Sequence, residues 1–141
     1  MIPRSERPGV TGASWSYPPE APRLQAGARY TFQVVGGAQA PQEAWFEVLD
    51  AARAQAIRAD LAALEQELVA TAPPNSLAVM RAGVLAQAGL LHDARLAVAA
   101  ALARDPDEAA LHLLLASLLG RMGLPEQAAE ARDEAEFLLT R

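Results

Sequence analysis

The chain has 141 residues, of which 52% are hydrophobic, and a formal net charge of −5. That length suffices for one medium domain or two small ones. Residues 50–141 carry eight arginines against thirteen acidic residues, which is the wrong sign for binding nucleic acid or an anionic membrane surface. Because the chain has no cysteine, disulfides, thiolate catalysis and zinc–cysteine sites are excluded.

All twelve basic residues are arginine, and alanine is abundant, which indicates the codon bias of a GC-rich bacterial genome. No apolar run approaches the ~20 residues that span a bilayer. Residues 1–9 lack the hydrophobic stretch of a secretory signal. We therefore expect a cytoplasmic protein, or a periplasmic or envelope-associated one if the chain is an N-terminally truncated fragment.

The N-terminal third predicts a tail followed by short strands. Residues 1–9 are polar and rich in Pro and Gly, which is typical of a disordered tail. Aromatic residues alternate with serine around residues 15–17, before a run of prolines breaks the pattern. Residues 28–35 alternate again, and they predict a strand that has three apolar side chains on one face, namely Tyr30, Phe32 and Val34.

Residues 43–49 form a third candidate strand, because Ala44, Phe46 and Val48 fall on one face. The alternative is a helix that begins at Pro41 and includes the residues that follow it. The strand is the preferred prediction. Residues 10–49 are therefore expected to form a β segment.

The rest of the chain predicts five helices joined by short connections, so that neighbouring helices pack antiparallel. The first covers residues 51–70, with Asp50 as its cap, and carries one apolar stripe made by Ile57, Leu61, Leu64 and Leu68. The following helices are expected near residues 77–88, 91–104, 108–121 and 125–139. Asn75 or Ser76 is the predicted cap of the second helix, and Asp107 of the fourth.

Five pairs of matching residues lie 34 positions apart: Ala82 with Ala116, Leu85 with Leu119, Gly89 with Gly123, Leu90 with Leu124, and Ala94 with Ala128. The alanines are small where two helices must approach closely. The glycines stand at helix ends, where a left-handed residue is easiest for glycine. The pattern predicts one helical hairpin used twice.

A period of 34 residues is that of tetratricopeptide units. Residues 75–141 resemble two such units, with small-residue pairs, a glycine before each turn and Pro106 at the unit boundary. The resemblance implies a mainly α fold, with antiparallel helical hairpins stacked as an α-solenoid after the small antiparallel β segment. The chain departs from the family pattern at Ala78 and His112, where an aromatic is frequent, and at Arg132, where the first unit has Val98.

Two units are fewer than the three or so that a stable array needs. Residues 50–74 are therefore predicted to form a capping helix and a linker. The apolar stripe of this helix is expected to lie against Val79, Leu85 and Leu96. The last helix is expected to present a solvated, polar outer face.

Leu24, Gly27 and Tyr30 resemble the tyrosine corner of a fibronectin type III or immunoglobulin-like sandwich. The resemblance implies that the Tyr30 hydroxyl bonds back to the preceding turn. Because a full sandwich has about seven strands, residues 10–49 represent either part of a longer protein or a small sheet that packs on the helices. Truncation is the preferred prediction, and open strand edges would then favour pairing with a second copy or a partner.

No catalytic, cofactor or metal constellation is predicted. His92 and His112 lack a His or Cys at the spacing of a zinc site, and the carboxylates of the last helix fit a solvated face. We therefore expect a non-enzymatic protein-interaction or scaffolding module whose partner is a protein or peptide, a second copy included. The alternative is a structural spacer or homo-oligomerisation element of a larger bacterial envelope or signalling protein.

By the resemblance, the partner-binding groove is lined by small and apolar residues. The predicted positions are Val79, Gly83, Ala86 and Gln87 in the first unit and Leu113, Ser117, Gly120 and Arg121 in the second. Such a surface suits an apolar helix or strand better than a peptide carboxylate, and the occupant could be the chain's own residues 51–70. The alternative is that these residues only pack.

Overall fold

The computed structural model describes residues 16–35 and 40–141, and the chain divides after Asp50 into two compact units. The predicted disordered tail lies outside the described residues, as do Trp15 and the loop glycines Gly36 and Gly37. The described chain is mainly helical, with one small antiparallel sheet before the helices, as predicted.

The first unit contains a β-hairpin. β1 (Arg29–Val34) pairs antiparallel with β2 (Gln42–Glu47), and Tyr30 lies opposite Phe46. The strand prediction for both segments is confirmed, and the alternative helix from Pro41 does not form. The strand predicted around residues 15–17 was wrong for its described part, since residues 16 and 17 are not in a strand.

The hydroxyl of Tyr30 accepts a hydrogen bond from the backbone N–H of Gln25 at 2.7 Å. Between them, Gly27 adopts a left-handed conformation with φ of 76°, and its N–H donates to the carbonyl of Val48 at 2.8 Å. The predicted bond from Tyr30 to the preceding turn is therefore confirmed. Membership of the sandwich family stays a prediction.

The second unit contains the helices of the described chain: α1 (Ala51–Leu68), α2 (Pro74–Gln87), α3 (Leu91–Arg104), α4 (Ala109–Arg121) and α5 (Pro125–Leu139). Their positions follow the predicted ones closely. The largest difference is at α2, which begins at Pro74 instead of residue 77.

The predicted caps of α2 and α4 were wrong. α2 follows Pro73 without a side-chain cap, because a proline at the first helical position has no N–H that needs a partner. The amide of Asn75 instead donates to the carboxylate of Asp105 at 2.8 Å. At α4 the cap is Glu108, whose carboxylate accepts from the N–H of the second residue of the helix at 3.2 Å.

The turns from α2 to α3 and from α4 to α5 have the same backbone geometry. Gly89 and Gly123 have φ of 83° and 76°. In each turn the N–H of the residue after the glycine donates to a carbonyl five residues earlier, at 2.9 Å in both. This is the hydrogen bonding of a Schellman helix end, in which the left-handed residue satisfies a carbonyl that the helix leaves open. The internal repeat is thus present in the backbone.

We expect Gly89→Ala and Gly83→Ala to change stability in opposite directions. At Gly89 the left-handed backbone costs a residue with a Cβ about 1–2 kcal/mol. Gly83 is helical and a Cβ there meets nothing within 4 Å, so alanine should stabilise α2 by up to about 1 kcal/mol. Urea unfolding followed by circular dichroism measures both, and shifts of the same sign would contradict the described turn.

Side-chain contacts show that each hairpin is antiparallel. Asn75 at the start of α2 contacts Asp105 just beyond the end of α3. In the second hairpin, Arg141 beyond the end of α5 lies 3.4 Å from Asp107 before α4. In both hairpins, a polar contact thus joins the two helix ends that lie opposite the connecting turn. The Arg141–Asp107 pair is exposed and contributes little energy, so it reports the helix direction more than it stabilises the hairpin.

The core of the second unit lies between these helices and is built on small residues. Ala82 and Ala94 are fully buried, and Ala116 and Ala128 are 3% exposed. The prediction that these alanines lie between the helices and not on the surface is confirmed by their burial. The largest fully buried side chains are those of Val98, Leu111 and Leu118, which join the same cluster as the first alanine pair.

α1 packs on α2 and on no other described helix. Ile57 and Leu61 pack against the core cluster to which Leu85 belongs, so two residues of the predicted stripe face the core. The predicted contact with Leu96 was wrong, because Leu96 is on α3 and is largely exposed. The predicted contact with Val79 is not made in the core either, since Val79 faces a depression between α2 and α4.

Candidate partner-binding groove

α2 and α4 lie side by side and run parallel. At their C-terminal ends, the guanidinium of Arg121 donates to the carbonyl of Ala86 at 3.3 Å. At their N-terminal ends, Ser76 and Ala110 line one depression. Since both ends coincide, the outer faces of the two helices form one continuous surface.

The depression is shallow and open, with a volume of about 340 Å³. Its wall is largely apolar, and the lining residues are Asn75, Ser76, Val79, Met80, Glu108, Ala110 and Leu111. Val79 and Met80 are 39% and 42% exposed. The space is suited to a single large aliphatic or aromatic side chain.

The surface beside the depression continues along α4 towards the C-terminal end of the helix. One face of α4 borders the depression through Ala110. The same face carries the residues that follow Ala110 at spacings of three or four, namely Leu113, Ser117 and Gly120. Gly83 occupies the matching face of α2. We use the name α2–α4 groove for the surface formed by Val79, Met80, Gly83, Leu113, Ser117 and Gly120, all of which are exposed.

One of the eight predicted groove residues is buried, and the other seven are exposed. Ala86 is buried, so its side chain is not available to a partner, and this prediction was wrong. Ala86 belongs to the core cluster that α2 forms with residues of α3 and α4. Gln87 is exposed at the end of α2. Met80 was missed, although it is one helical turn from Ser76 and adjoins Val79 in sequence.

Both arginines of these two helices are engaged within the chain. Arg81 forms an ion pair with Glu65 of α1, and Arg121 bonds a backbone carbonyl. His112 of α4 donates from Nε2 to the carbonyl of Pro106 at 2.7 Å. The six residues of the α2–α4 groove have apolar, small or hydroxyl side chains and are uncharged. The carboxylate of Glu108, which lines the adjoining depression, accepts from the N–H of Ala110 as the cap of α4.

Gly83 lies in the interior of α2, and Gly120 lies in the last turn of α4. Neither has a positive φ, and a Cβ at either position would meet nothing within 4 Å. A glycine inside a helix costs about 1 kcal/mol relative to alanine. Gly83 therefore carries this cost on an exposed surface, and glycine is a residue used where another backbone approaches closely.

The described residues, 16–35 and 40–141, contain no group of three His, Asp or Glu side chains that could hold a metal ion. Within the same residues, no helix combines the length and the apolar character that a membrane span requires.

Comparison of the chain with protein families, with curated proteins and with solved structures found no match. The tetratricopeptide and fibronectin type III assignments therefore rest on residue patterns, and they stay predictions.

Proposed function

We propose that the second unit is a non-enzymatic protein-interaction module that binds a protein or peptide segment in the α2–α4 groove. The observation that supports this most strongly is the set of exposed apolar side chains on two parallel helices. Val79, Met80 and Leu113 are each about two-fifths exposed. Val79 and Met80 line the depression, and Leu113 lies on the face of α4 that borders it. A contiguous exposed apolar surface of this kind marks an interaction site more often than scattered exposed residues do.

The chemistry of the groove indicates the kind of segment that would bind. An uncharged surface gives no compensation to a charged side chain that loses water on binding. An apolar side chain of the partner would enter the depression beside Val79, while its backbone would lie against Gly83 and Gly120. The expected ligand is an amphipathic helix or an extended segment with an uncharged, apolar contact face.

Selection of displayed random peptides against the purified chain tests this proposal, followed by affinity measurement of the enriched peptides by fluorescence anisotropy. We expect the enriched peptides to share uncharged apolar residues. Leu113→Asp should weaken their binding at least about tenfold, because a carboxylate would be desolvated in the interface.

Leu96→Asp is the matched control for this experiment. Leu96 is 48% exposed and Leu113 is 44% exposed, and both are helical leucines, but Leu96 lies on α3 outside the groove. The control should bind the enriched peptides like the unmodified chain. Equal losses in the two variants, with helical content retained, would contradict the proposed groove.

A further inference from the structure

We propose that the outer edge of β1 pairs antiparallel with β1 of a second copy of this chain, which creates a four-stranded sheet across two molecules. This inference concerns the first unit and is independent of the α2–α4 groove. It rests on the faces, the edges and the charges of the β-hairpin.

The hairpin has fewer strands than a stable sheet requires. Its strands have six residues each, and within residues 16–35 and 40–141 no other strand pairs with either of them. An isolated two-stranded hairpin is at best marginally stable in water, whereas three or more strands with an apolar face form a stable sheet. The unpaired backbone groups along an edge are a template for another strand.

One face of the hairpin is aromatic and open. Tyr30 and Phe46 stack with ring centroids 5.5 Å apart, and Phe32 lies 6.5 Å from Phe46. Phe32 is 47% exposed and Phe46 is 39% exposed. This face, formed by alternate residues of both strands, has no charged side chain.

The opposite face holds all the charges of the two strands, and they are paired within the hairpin. Arg29 forms a salt bridge with Glu47 at 2.6 Å, and its guanidinium lies 4.0 Å from the centre of the Trp45 ring. Gln33 donates to Glu43 at 3.2 Å. Both acidic residues therefore belong to β2, and β1 contains none.

This charge distribution selects the edge that pairs. Each β2 strand carries Glu43 and Glu47, so two β2 strands placed side by side bring four carboxylates together. If their antiparallel register is centred on Trp45, Glu43 lies directly opposite Glu47 of the second copy. Like charges directly opposite one another destabilise a strand pair. The β2 edge is thus protected by its charges, and the β1 edge has no such protection.

Two β1 strands fit each other when the register is centred on Thr31. Directly opposite residues share a face of the sheet, so the two aromatic faces remain on the same side. Thr31 then lies opposite Thr31 of the second copy, Tyr30 opposite Phe32, and Arg29 opposite Gln33. Aromatic and threonine pairs across strands are both stabilising. Each Arg29 then lies between two polar partners. One is Glu47 of its own hairpin, and the other is the Gln33 side chain of the second copy, which donates to Glu43 there.

Single-cysteine cross-linking of the full chain tests the register, since the chain has no cysteine of its own. Residues directly opposite in an antiparallel pair have Cα atoms about 4.5–5.5 Å apart, which is within reach of a disulfide. Thr31→Cys should form a covalent dimer under mild oxidation, and Gln42→Cys on β2 should form little. Equal cross-linking of the two variants would overturn the proposal.

Charge substitutions at the centre of the pairing give a second, independent readout. Thr31→Glu and Thr31→Lys should each raise the dimer dissociation constant roughly fivefold in sedimentation equilibrium, on the scale of one cross-strand pair. An equimolar mixture of these two variants should associate more tightly than either alone, which misfolding could not produce. Gln42→Glu, which adds the same charge to β2, should leave the dimer unchanged.

Two results would overturn the inference. One is sedimentation equilibrium that shows only monomer from low to high micromolar concentration. The β1 edge would then pair with a different segment or a different protein. The other is a dimer that does not respond to any substitution of Thr31, which would place self-association on another surface.

Discussion

Val98→Arg should unfold the second unit, whereas Arg132→Val should leave its stability almost unchanged. The two positions are equivalent in the repeat, 34 residues apart on α3 and α5. Val98 is fully buried, and an unpaired guanidinium there would be desolvated at a cost of several kcal/mol, which approaches the roughly 5–15 kcal/mol that stabilises a whole domain. Arg132 is exposed, so a change there should stay within about 0.5 kcal/mol.

Circular dichroism at the helical minimum, combined with urea unfolding, measures both variants. We expect little cooperative unfolding for Val98→Arg and a transition close to that of the unmodified chain for Arg132→Val. A cooperative transition at an unchanged midpoint for Val98→Arg would mean that the inner face of α3 is accessible to water. That result would contradict the packing of α3 between its neighbours.

Ala94→Leu and Ala128→Leu should each destabilise the second unit by about 1–3 kcal/mol, because inserting a larger side chain into a close helix contact forces the backbones apart. Ala94 is fully buried and Ala128 is 3% exposed, at equivalent positions of the two hairpins. The cost should therefore be similar at both positions. This tests the role of small residues in both hairpins with one chemical change.

Ala99→Leu is the control for these variants. Ala99 is on the exposed side of α3, and leucine has almost the same helix propensity as alanine. The free energy of unfolding from urea titration should thus change little for Ala99→Leu. If the buried and the exposed positions tolerated leucine equally well, close approach of the helices would not depend on the alanines.

The elements of this protein follow from local patterns. Gly89 and Gly123 predict left-handed helix ends because glycine has no Cβ to clash there, and both have the expected positive φ. Alternation in β1 and β2 predicts strands, and the structure pairs the expected faces, with Tyr30 opposite Phe46. Such features depend on a few neighbouring residues, which is why a sequence can indicate them.

Contacts between distant residues were predicted less well. Asn75 was assigned to the backbone of its own helix, but it bonds Asp105, 30 positions away. Leu96 was expected to contact α1, yet α1 reaches only α2. Ala86 was placed in the groove because of its position in the helix, but it is buried in a core cluster with residues of α3 and α4. In each case the deciding neighbour belongs to another helix.

The sequence by itself determined β1, the helices α1 to α5 and the glycine turns between paired helices, and it preferred a strand to a helix for β2. Those properties are set by backbone preferences and by periodic burial within a few residues. Only the tertiary structure decided which side chains remain on the surface, where α2 and α4 form a depression, and which charges are neutralised within the chain. These depend on how close separate helices come, and that distance is the joint result of packing throughout the unit, which no single segment specifies.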